Sequence, residues 1–270
     1  MDDERNWLRE SFDPVAELYD RARPVYPAAL VEQIAAAAEL GPASRVLEIG
    51  PGTGQLTVAL ARTGAQVTAV ELGAGLATVA RRKLADFTRV RVEVAAFETW
   101  PAPADPFDLV ASATAFHWLD PAVRIERTAA ALRPGGLFAR ISTHHVAGGT
   151  VEFFAEAQRC YRRFDPDHTA ADWTLPRTEV LTDTDPGNIT TAGLFEPATL
   201  HRHRQDIGYS TAEYVDVLST YSAINRIPAN DKQSLLSCLA GLIDSGYGGR
   251  IVKRYCFELR LARRTDTAVC

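Results

Sequence analysis

The chain contains few lysines, few sulfur-containing residues and no long apolar run. Only three of its 29 basic residues are lysine, and its single methionine is the first residue. No apolar stretch approaches the roughly 20 residues that span a bilayer, and the opening run MDDERNWLRE lacks the apolar segment of a secretory signal. We therefore expect a cytoplasmic protein without a membrane partner.

The cysteines are too widely separated to suggest a metal site. They contain no C-x-x-C pair and occur at Cys160, Cys238, Cys256 and Cys270. We predict neither a zinc site nor a disulfide framework, and no bound metal. The net charge of −5 also argues against nucleic acid as a partner, because proteins that bind phosphates carry a basic face.

Apolar strand-like segments alternate with amphipathic helical patterns between residues 43 and 142. The strand candidates are residues 45–49, 66–71, 89–94, 107–113 and 137–142. This alternation predicts βαβ units, and hence a doubly wound α/β core whose parallel sheet is covered by helices on both faces.

The segments on either side of this core have different patterns. Residues 1–42 indicate a helical cap, and residues 143–197 a helix followed by a loop-rich cap insertion. Residues 198–270 contain two further strands. The longer one, at 249–264, alternates apolar and polar residues, which is typical of an antiparallel strand at a sheet edge. We expect the whole chain to form one domain.

The stretch VLEIGPGTGQL, residues 46–56, places three glycines at every second position behind an apolar strand. Glycine lets the backbone turn tightly and lets a ligand approach it closely. No lysine follows, as a P-loop requires, and the third glycine comes one position too early for the dinucleotide fingerprint G-x-G-x-x-G. An NAD-dependent oxidoreductase is therefore the weaker alternative.

Two carboxylates accompany the glycines. Glu71 ends the next strand 21 residues after Gly50, where the hydroxyls of a ribose would lie and could donate charge-assisted hydrogen bonds to it. Glu48 ends the strand before the turn, where it would repel a pyrophosphate but tolerate a cationic ligand. The pair favours a ligand with a ribose and a positive charge.

In this stretch, EIGPGTG at residues 48–54 matches in full the motif E/D-x-G-x-G-x-G, and the chain resembles the class I S-adenosylmethionine-dependent methyltransferases. The segment FDPVAELYDRARPVYP, residues 12–27, is similar to the N-terminal cap of small-molecule members of the type 11 group. Three further stretches agree in order: VTAVELG (67–73), FDLVASATAFHWLDP (107–121) and LRPGGLFARIS (132–142). The resemblance implies a Rossmann-like seven-stranded sheet whose last strand runs antiparallel between its neighbours.

The resemblance also implies S-adenosylmethionine as the cofactor. The glycines would line its methionine and ribose portion, Glu71 would bind the ribose hydroxyls, and the backbone of Ala113 would meet the amino group. Many relatives bond adenine with an Asp after the third strand, but VEVAAFETW (92–100) leaves Ala96 and Phe97 to pack on the base. The predicted cofactor contacts are Tyr19, Arg23, Glu48, Gly50, Pro51, Gly52, Gly54, Glu71, Leu72, Ala96, Phe97 and Ala113.

Two of these contacts have an alternative interpretation. Arg23 over the cleft could hold the methionine carboxylate while Tyr19 helps to close a lid. Equally, Tyr19 could pack in the protein while Arg23 extends along the surface.

Histidines are the candidates for acid–base chemistry. His117 follows the fourth strand, beside the expected position of the reactive methyl, and either contacts the acceptor or stabilises its loop. His144 and His145 follow the fifth strand at the same sheet edge, as a base or as polar loop residues. Three aromatic residues line the acceptor pocket or belong to the core: Trp118, Tyr161 and Trp173.

The sequence therefore predicts a methyltransferase that acts on a small-molecule acceptor, for which a secondary metabolite is the working hypothesis. The cap segments 1–30 and 143–197 would roof its pocket. Two alternatives stay open: a protein of the same fold that binds the cofactor without transferring a methyl, and a methyltransferase of protein or nucleic acid. Either a monomer or a homodimer is compatible with the sequence.

Overall fold

The computed structural model describes residues 15–101, 103–168, 174–181, 189 and 193–266. In chain order the helices and strands are α1 (Ala16–Ala22), α2 (Ala28–Ala37), β1 (Arg45–Ile49), α3 (Gln55–Ala61), β2 (Gln66–Glu71), α4 (Ala74–Lys83), β3 (Val90–Val94), β4 (Phe107–Ala113), α5 (Arg124–Ala131), β5 (Leu132–Gly149), α6 (Val151–Phe164), β6 (Thr199–Ser210), α7 (Thr211–Ser219), α8 (Ser222–Asn225), α9 (Ala229–Gly246) and β7 (Arg250–Arg263).

The seven strands form one mixed sheet in the order β3-β2-β1-β4-β5-β7-β6. Strands β1 to β5 are parallel, and β7 runs antiparallel to both β5 and β6. The predicted seven-stranded α/β fold with an antiparallel last strand is confirmed. The expectation that this last strand lies at the sheet edge was wrong, because β6 forms the edge and every residue of β7 from 255 to 262 is buried.

Burial on both faces explains why the central strands are apolar throughout. Successive side chains of a strand point to opposite faces. Accordingly, Val46 and Leu109 belong to one hydrophobic cluster, whereas their chain neighbours Leu47 and Val110 belong to a second cluster on the other face. Helices therefore cover the sheet on both sides, as a parallel sheet requires.

A disulfide joins Cys160 on α6 to Cys238 on α9, with their Cα atoms 5.9 Å apart. The prediction of no disulfide was wrong. The two cysteines lie 78 residues apart, so only the packing of the two helices brings them within bonding distance. Cys256 is buried and free.

The arrangement brings loops from several strands to one edge of the sheet. The carboxyl ends of the parallel strands β1, β2 and β4 lead to Gly50, Leu72 and Thr114, and ligands bind at this edge in doubly wound folds. In the part of the chain that the structure describes, no helix has both the length and the apolar character needed to cross a bilayer.

Candidate active site

Two adjoining cavities lie at the carboxyl ends of the parallel strands. The first cavity has a volume of about 340 Å³ and lies over β1, β2 and β4. The second cavity, of about 270 Å³, extends towards β5 and β7. Six residues line both and so form the boundary between them: Tyr19, Arg23, Gly50, Ala113, Thr114 and Tyr221.

The glycine turn forms the floor of the first cavity. Gly50 and Gly52 have φ angles of 65° and 59°, which side chains other than glycine rarely adopt. A Cβ on Gly50 would stand 2.5 Å from the Cβ of Ala115, so the turn leaves no space for one. Gly54 immediately precedes α3. A Cβ at this glycine would lie 3.4 Å from the side chain of Leu84, so Gly54 serves the packing of the helix start rather than the cavity floor.

Glu71 is buried at the end of β2 and its carboxylate is held in place by the backbone. Its Oε2 accepts a hydrogen bond from the N–H of Gly52 at 2.9 Å, and its Oε1 accepts one from the N–H of Gly73 at 2.9 Å. Each oxygen has a second lone pair. The carboxylate lines the first cavity together with Leu72, in the orientation that two adjacent hydroxyls could use.

The opposite wall of the first cavity is apolar and aromatic. It includes Phe97, Leu76, Trp118 and Ala95. Of the two residues predicted to flank a base, Phe97 lines the cavity, whereas Ala96 is not among the residues that line either cavity and its neighbour Ala95 is.

Glu48 lies in the second cavity rather than the first, and is only 1% exposed. Burial and the nearby charge of Glu71 raise the pKa of its carboxyl to about 8, although the Thr57 hydroxyl opposes the rise. Its Oε2 has no hydrogen-bond partner among the described residues. At neutral pH the group is therefore largely protonated.

Arg23 lies between two aromatic rings at the boundary of the cavities. Its guanidinium carbon is 4.7 Å from the ring centroid of Tyr19 and 4.6 Å from that of Tyr221. One amino group donates to the carbonyl of Thr220 at 2.8 Å, while Nε has no partner among the described residues. The stacking orients the charge at the junction of the two cavities.

Lys253 on β7 is the second cation of the site and is only 4% exposed. Its Nζ donates to the hydroxyl of Tyr221 at 3.0 Å and lies over the rings of Tyr221 and Tyr255, at 5.0 and 4.9 Å from their centroids. The hydroxyls of Tyr221 and Tyr255 are 3.3 Å apart, and that of Tyr209 is 3.1 Å from Tyr255. These residues form a chain of phenols that ends at an ammonium group.

Two nearby positive charges lower the pKa of the Tyr221 hydroxyl. Burial alone would raise the pKa of this phenol, but the charges of Lys253 and Arg23, with the hydrogen bond from Lys253, outweigh burial and lower the pKa to about 8. The phenol therefore begins to ionise near physiological pH.

Thr114 lines both cavities in a strained backbone conformation. Its φ of 55° is rare for a β-branched residue. Its hydroxyl oxygen lies 3.0 Å from that of Thr143 and 3.3 Å from that of Tyr26, which ties the ends of β4 and β5 to the N-terminal segment. Strain of this kind is maintained by surrounding contacts and often accompanies function.

The three predicted histidines lie in three different places. His117 lines the first cavity and a third cavity of about 240 Å³, which His144 also lines, while His145 lines the second cavity. Desolvation by the surrounding protein is the main cause that lowers the pKa of His117 to about 4. The positive charges of Arg140 and Arg124 act in the same direction. Burial, then Lys253, lowers the pKa of His145 to about 3, and burial also lowers that of His144. All three are neutral at pH 7.

The remaining predicted residues are divided between site and core. Pro51 lines the second cavity. Tyr161 packs against the large hydrophobic cluster and stacks on His168 with ring centroids 5.7 Å apart, away from both cavities. Trp173 lies outside the described residues.

The sequence interpretation did not identify Tyr221, Lys253 or Tyr255. Among the described residues of the predicted roof 143–197, only Thr143, His144 and His145 line the three cavities, whereas Tyr221 to Ala223 close the first one. One signal was present, because Lys253 occupies an otherwise apolar position between Ile251 and Tyr255 in the alternating strand.

Residues 46–136 match the family model described as a methyltransferase domain, and these residues contain the glycine turn, Glu71 and the strands that support them. This part of the chain is therefore similar to methyltransferase domains. A curated relative, an uncharacterised methyltransferase of Mycobacterium tuberculosis, is 36% identical over 126 residues, which are 47% of this chain and 49% of the relative. The chain thus spans about half the length of the curated relatives it matches.

Solved structures have the same fold. A protein of Anaeromyxobacter dehalogenans, provisionally described as a type II methyltransferase, superimposes on this chain with a TM-score of 0.59 and 23% identity. The match covers 91% of this chain and 99% of that protein. A phosphoethanolamine N-methyltransferase of Haemonchus contortus, solved with S-adenosylhomocysteine and phosphomonomethylethanolamine, covers 94% of this chain and 58% of its own with a TM-score of 0.54 and 17% identity.

Proposed function

We propose that this protein transfers a methyl group from S-adenosylmethionine to a small-molecule acceptor, with the cofactor in the first cavity and the acceptor in the second. The observation that carries the proposal is the buried carboxylate of Glu71. The N–H groups of Gly52 and Gly73 orient it at the end of β2, in a cavity that opens directly onto another. A nucleoside site beside an acceptor site is what group transfer requires.

The residues of the first cavity fit an adenosyl ligand. Glu71 would accept hydrogen bonds from the ribose hydroxyls, and Leu72 and Phe97 would flank the adenine. The glycine turn, with no space for a Cβ at Gly50, would let the ligand lie against the backbone. Arg23 lies at the boundary, its Nε has no partner among the described residues, and it would hold the methionine carboxylate.

When bound, the cofactor supplies a methyl group on a positively charged sulfur. Because that donor is already activated, the protein's main task is to position the acceptor and exclude water. Tyr19, Arg23, Ala113 and Tyr221 lie at the boundary and so are the residues that would align acceptor and donor.

A catalytic base has a limited part in this proposal. His117 lines the first and third cavities rather than the second, and with a pKa near 4 it is a weak base. We therefore propose that His117 shapes the cofactor cavity, and that His144 and His145 shape the third and second cavities. None of the three rings acts as a base in this proposal, because the surroundings lower the pKa of each.

A small acceptor is supported by the size of the second cavity, about 270 Å³, and by the net charge of −5. The alternative of a cofactor-binding protein without methyl transfer has the same first cavity. The two proposals differ in the reaction they predict, because a protein that only binds the cofactor would not form S-adenosylhomocysteine with any acceptor.

The cofactor site can be tested by titration calorimetry of the purified protein with S-adenosylhomocysteine and with NAD. We expect S-adenosylhomocysteine to bind and NAD to give no heat. Glu71→Ala should weaken binding roughly 100-fold, since two charge-assisted hydrogen bonds are lost. Glu32→Ala, at an exposed position of α2, is the matched control and should bind as the wild type does.

Binding of NAD alone would refute the cofactor assignment. If S-adenosylhomocysteine binds, incubation with S-adenosylmethionine and an acceptor library should yield methylated product and S-adenosylhomocysteine in equal amounts. Tight binding without product for any acceptor would favour the scaffold alternative.

A further inference from the structure

Lys253 is buried at a position where the loss of hydration of an ammonium group is energetically unfavourable. Its neighbours on the same face of β7 are Ile251, Tyr255 and Phe257, all buried in the large hydrophobic cluster. The lysine itself is 4% exposed, and its β7 position pairs with Ile207 of β6 and Gly149 of β5. An ammonium group this deep in the protein loses most of its hydration, so it normally has a partner of opposite charge.

No carboxylate of the described residues lies within ion-pairing distance of Lys253. Its one hydrogen bond goes to the hydroxyl of Tyr221, and two aromatic rings face the ammonium group. An ammonium group has three N–H donors. Lys253 therefore has two further N–H donors, and it lines the second cavity.

The other titratable groups around Lys253 do not neutralise it. His145, which lines the same cavity, is neutral because burial and Lys253 lower its pKa to about 3. Glu48 lies in the same cavity, but its raised pKa keeps it largely protonated at neutral pH. Arg23 adds a second positive charge at the boundary. The second cavity therefore carries a net positive charge near pH 7.

Within the described ranges, Tyr221 is the one group that could balance the charge of Lys253, as a phenolate. Its pKa of about 8 leaves most of the phenol protonated at pH 7, so it donates or accepts a hydrogen bond but supplies little negative charge. No described residue supplies the balancing charge, and this points to a ligand in the second cavity.

We propose that Lys253, with the phenols of Tyr221 and Tyr255, binds the carboxylate of an acidic small-molecule acceptor in the second cavity. The proposal rests on the function proposed above and specifies its substrate class. The aromatic lining of Tyr26, Tyr255 and Phe257 suits an apolar body attached to that carboxylate.

The methionine portion of the cofactor is a second source of a carboxylate. Arg23 lines both cavities, whereas Lys253 lines the second but is not among the residues that line the first. This placement assigns the cofactor's carboxylate to Arg23 and the acceptor's to Lys253.

The test measures binding to protein saturated with S-adenosylhomocysteine. Three probes share one skeleton and differ in charge: phenylacetate, phenylacetamide and 2-phenylethylamine. We expect phenylacetate to bind roughly 10- to 100-fold more tightly than the amide, which is the effect of one charge-assisted hydrogen bond in a buried site. Lys253→Met should abolish this preference, and Lys253→Arg should restore part of it. Lys232→Met on α9 is the matched control and should keep the preference.

Equal binding of the three probes, preference for the amine, or no binding of any would overturn the proposal. A second measurement compares S-adenosylhomocysteine with 5′-methylthioadenosine, which lacks the amino-acid portion. If Lys253→Met weakened the first ligand and spared the second, Lys253 would hold the cofactor's carboxylate and the proposal would be wrong. Failure of the wild type to bind S-adenosylhomocysteine at all would instead refute the underlying function.

Discussion

The two cavities are built from different parts of the chain and by different chemistry. Backbone supplies much of the first cavity, through the glycine turn and the N–H groups that hold Glu71, all within residues 50–73. Side chains supply most of the second cavity, from segments as distant as Arg23, Thr143, Tyr221 and Lys253. Backbone geometry is insensitive to most substitutions, whereas a side-chain lining changes with each residue.

This difference suits a transferase that keeps one ligand and varies the other. The part of the cofactor site that the backbone fixes, the glycine turn and the position of Glu71, is stable to most sequence changes. An acceptor site made of side chains can be altered one residue at a time without disturbing the cofactor. If the two cavities are separable in this way, a substitution in one cavity should leave ligand binding in the other unchanged.

Gly50→Ala should damage the backbone-built cavity most. The substitution combines a φ of 65° with a Cβ placed 2.5 Å from that of Ala115. We expect a loss of about 4 kcal/mol in the free energy of unfolding, together with loss of S-adenosylhomocysteine binding. Urea denaturation measures the first effect and calorimetry the second.

The control for this variant is Gly41→Ala. No atom lies within 4 Å of a Cβ added there and the φ of Gly41 is not positive, so its unfolding free energy should change by less than about 0.5 kcal/mol. Equal effects of the two substitutions would contradict the role given to the turn.

Glu48→Gln should change how stability depends on pH. The pKa of Glu48 is about 8 in the folded protein, against 4.5 for an ordinary glutamate. Between these values the folded state holds a proton that the unfolded state releases, so wild-type stability falls as pH rises through this window. Over roughly two pH units inside this window the fall should be on the order of 3 kcal/mol, since each unit is worth roughly 1.4 kcal/mol.

The glutamine variant cannot lose this proton. Thermal unfolding between about pH 5 and pH 9 should therefore show the variant gaining stability relative to the wild type as pH rises. Parallel pH profiles for the two proteins would show that Glu48 titrates normally.

The smallest expected effect concerns Tyr221 in the side-chain-built cavity. Ultraviolet absorbance of tyrosinate should reveal one phenol that ionises near pH 8, and Tyr221→Phe should remove it. Lys253→Met should raise this pKa, because the charge and hydrogen bond of Lys253 are lost and burial is opposed mainly by the charge of Arg23. An unchanged titration in Lys253→Met would mean that the ammonium group does not act on Tyr221.

Local patterns account for what the sequence could predict. The strands β1, β2 and β4 lie within one or two residues of their predicted bounds, because each is a short buried apolar run between turn residues. The glycine turn and Glu71 are close in sequence, so their spacing alone indicated one site.

The second cavity had no such pattern. It is formed where α1, β5, α8 and β7 approach one another, and sequence spacing does not report which distant residues meet. The disulfide between Cys160 and Cys238 was missed for the same reason. Lys253 was visible as a lysine among apolar positions, but only the structure shows that it faces a cavity rather than solvent.

The most direct test of separable cavities is titration of two variants with S-adenosylhomocysteine side by side. Glu71→Ala should lose binding roughly 100-fold, while Lys253→Met should bind within about threefold of the wild type. Similar losses in both variants would show that the two cavities form one cofactor site, and would contradict the division between cofactor and acceptor.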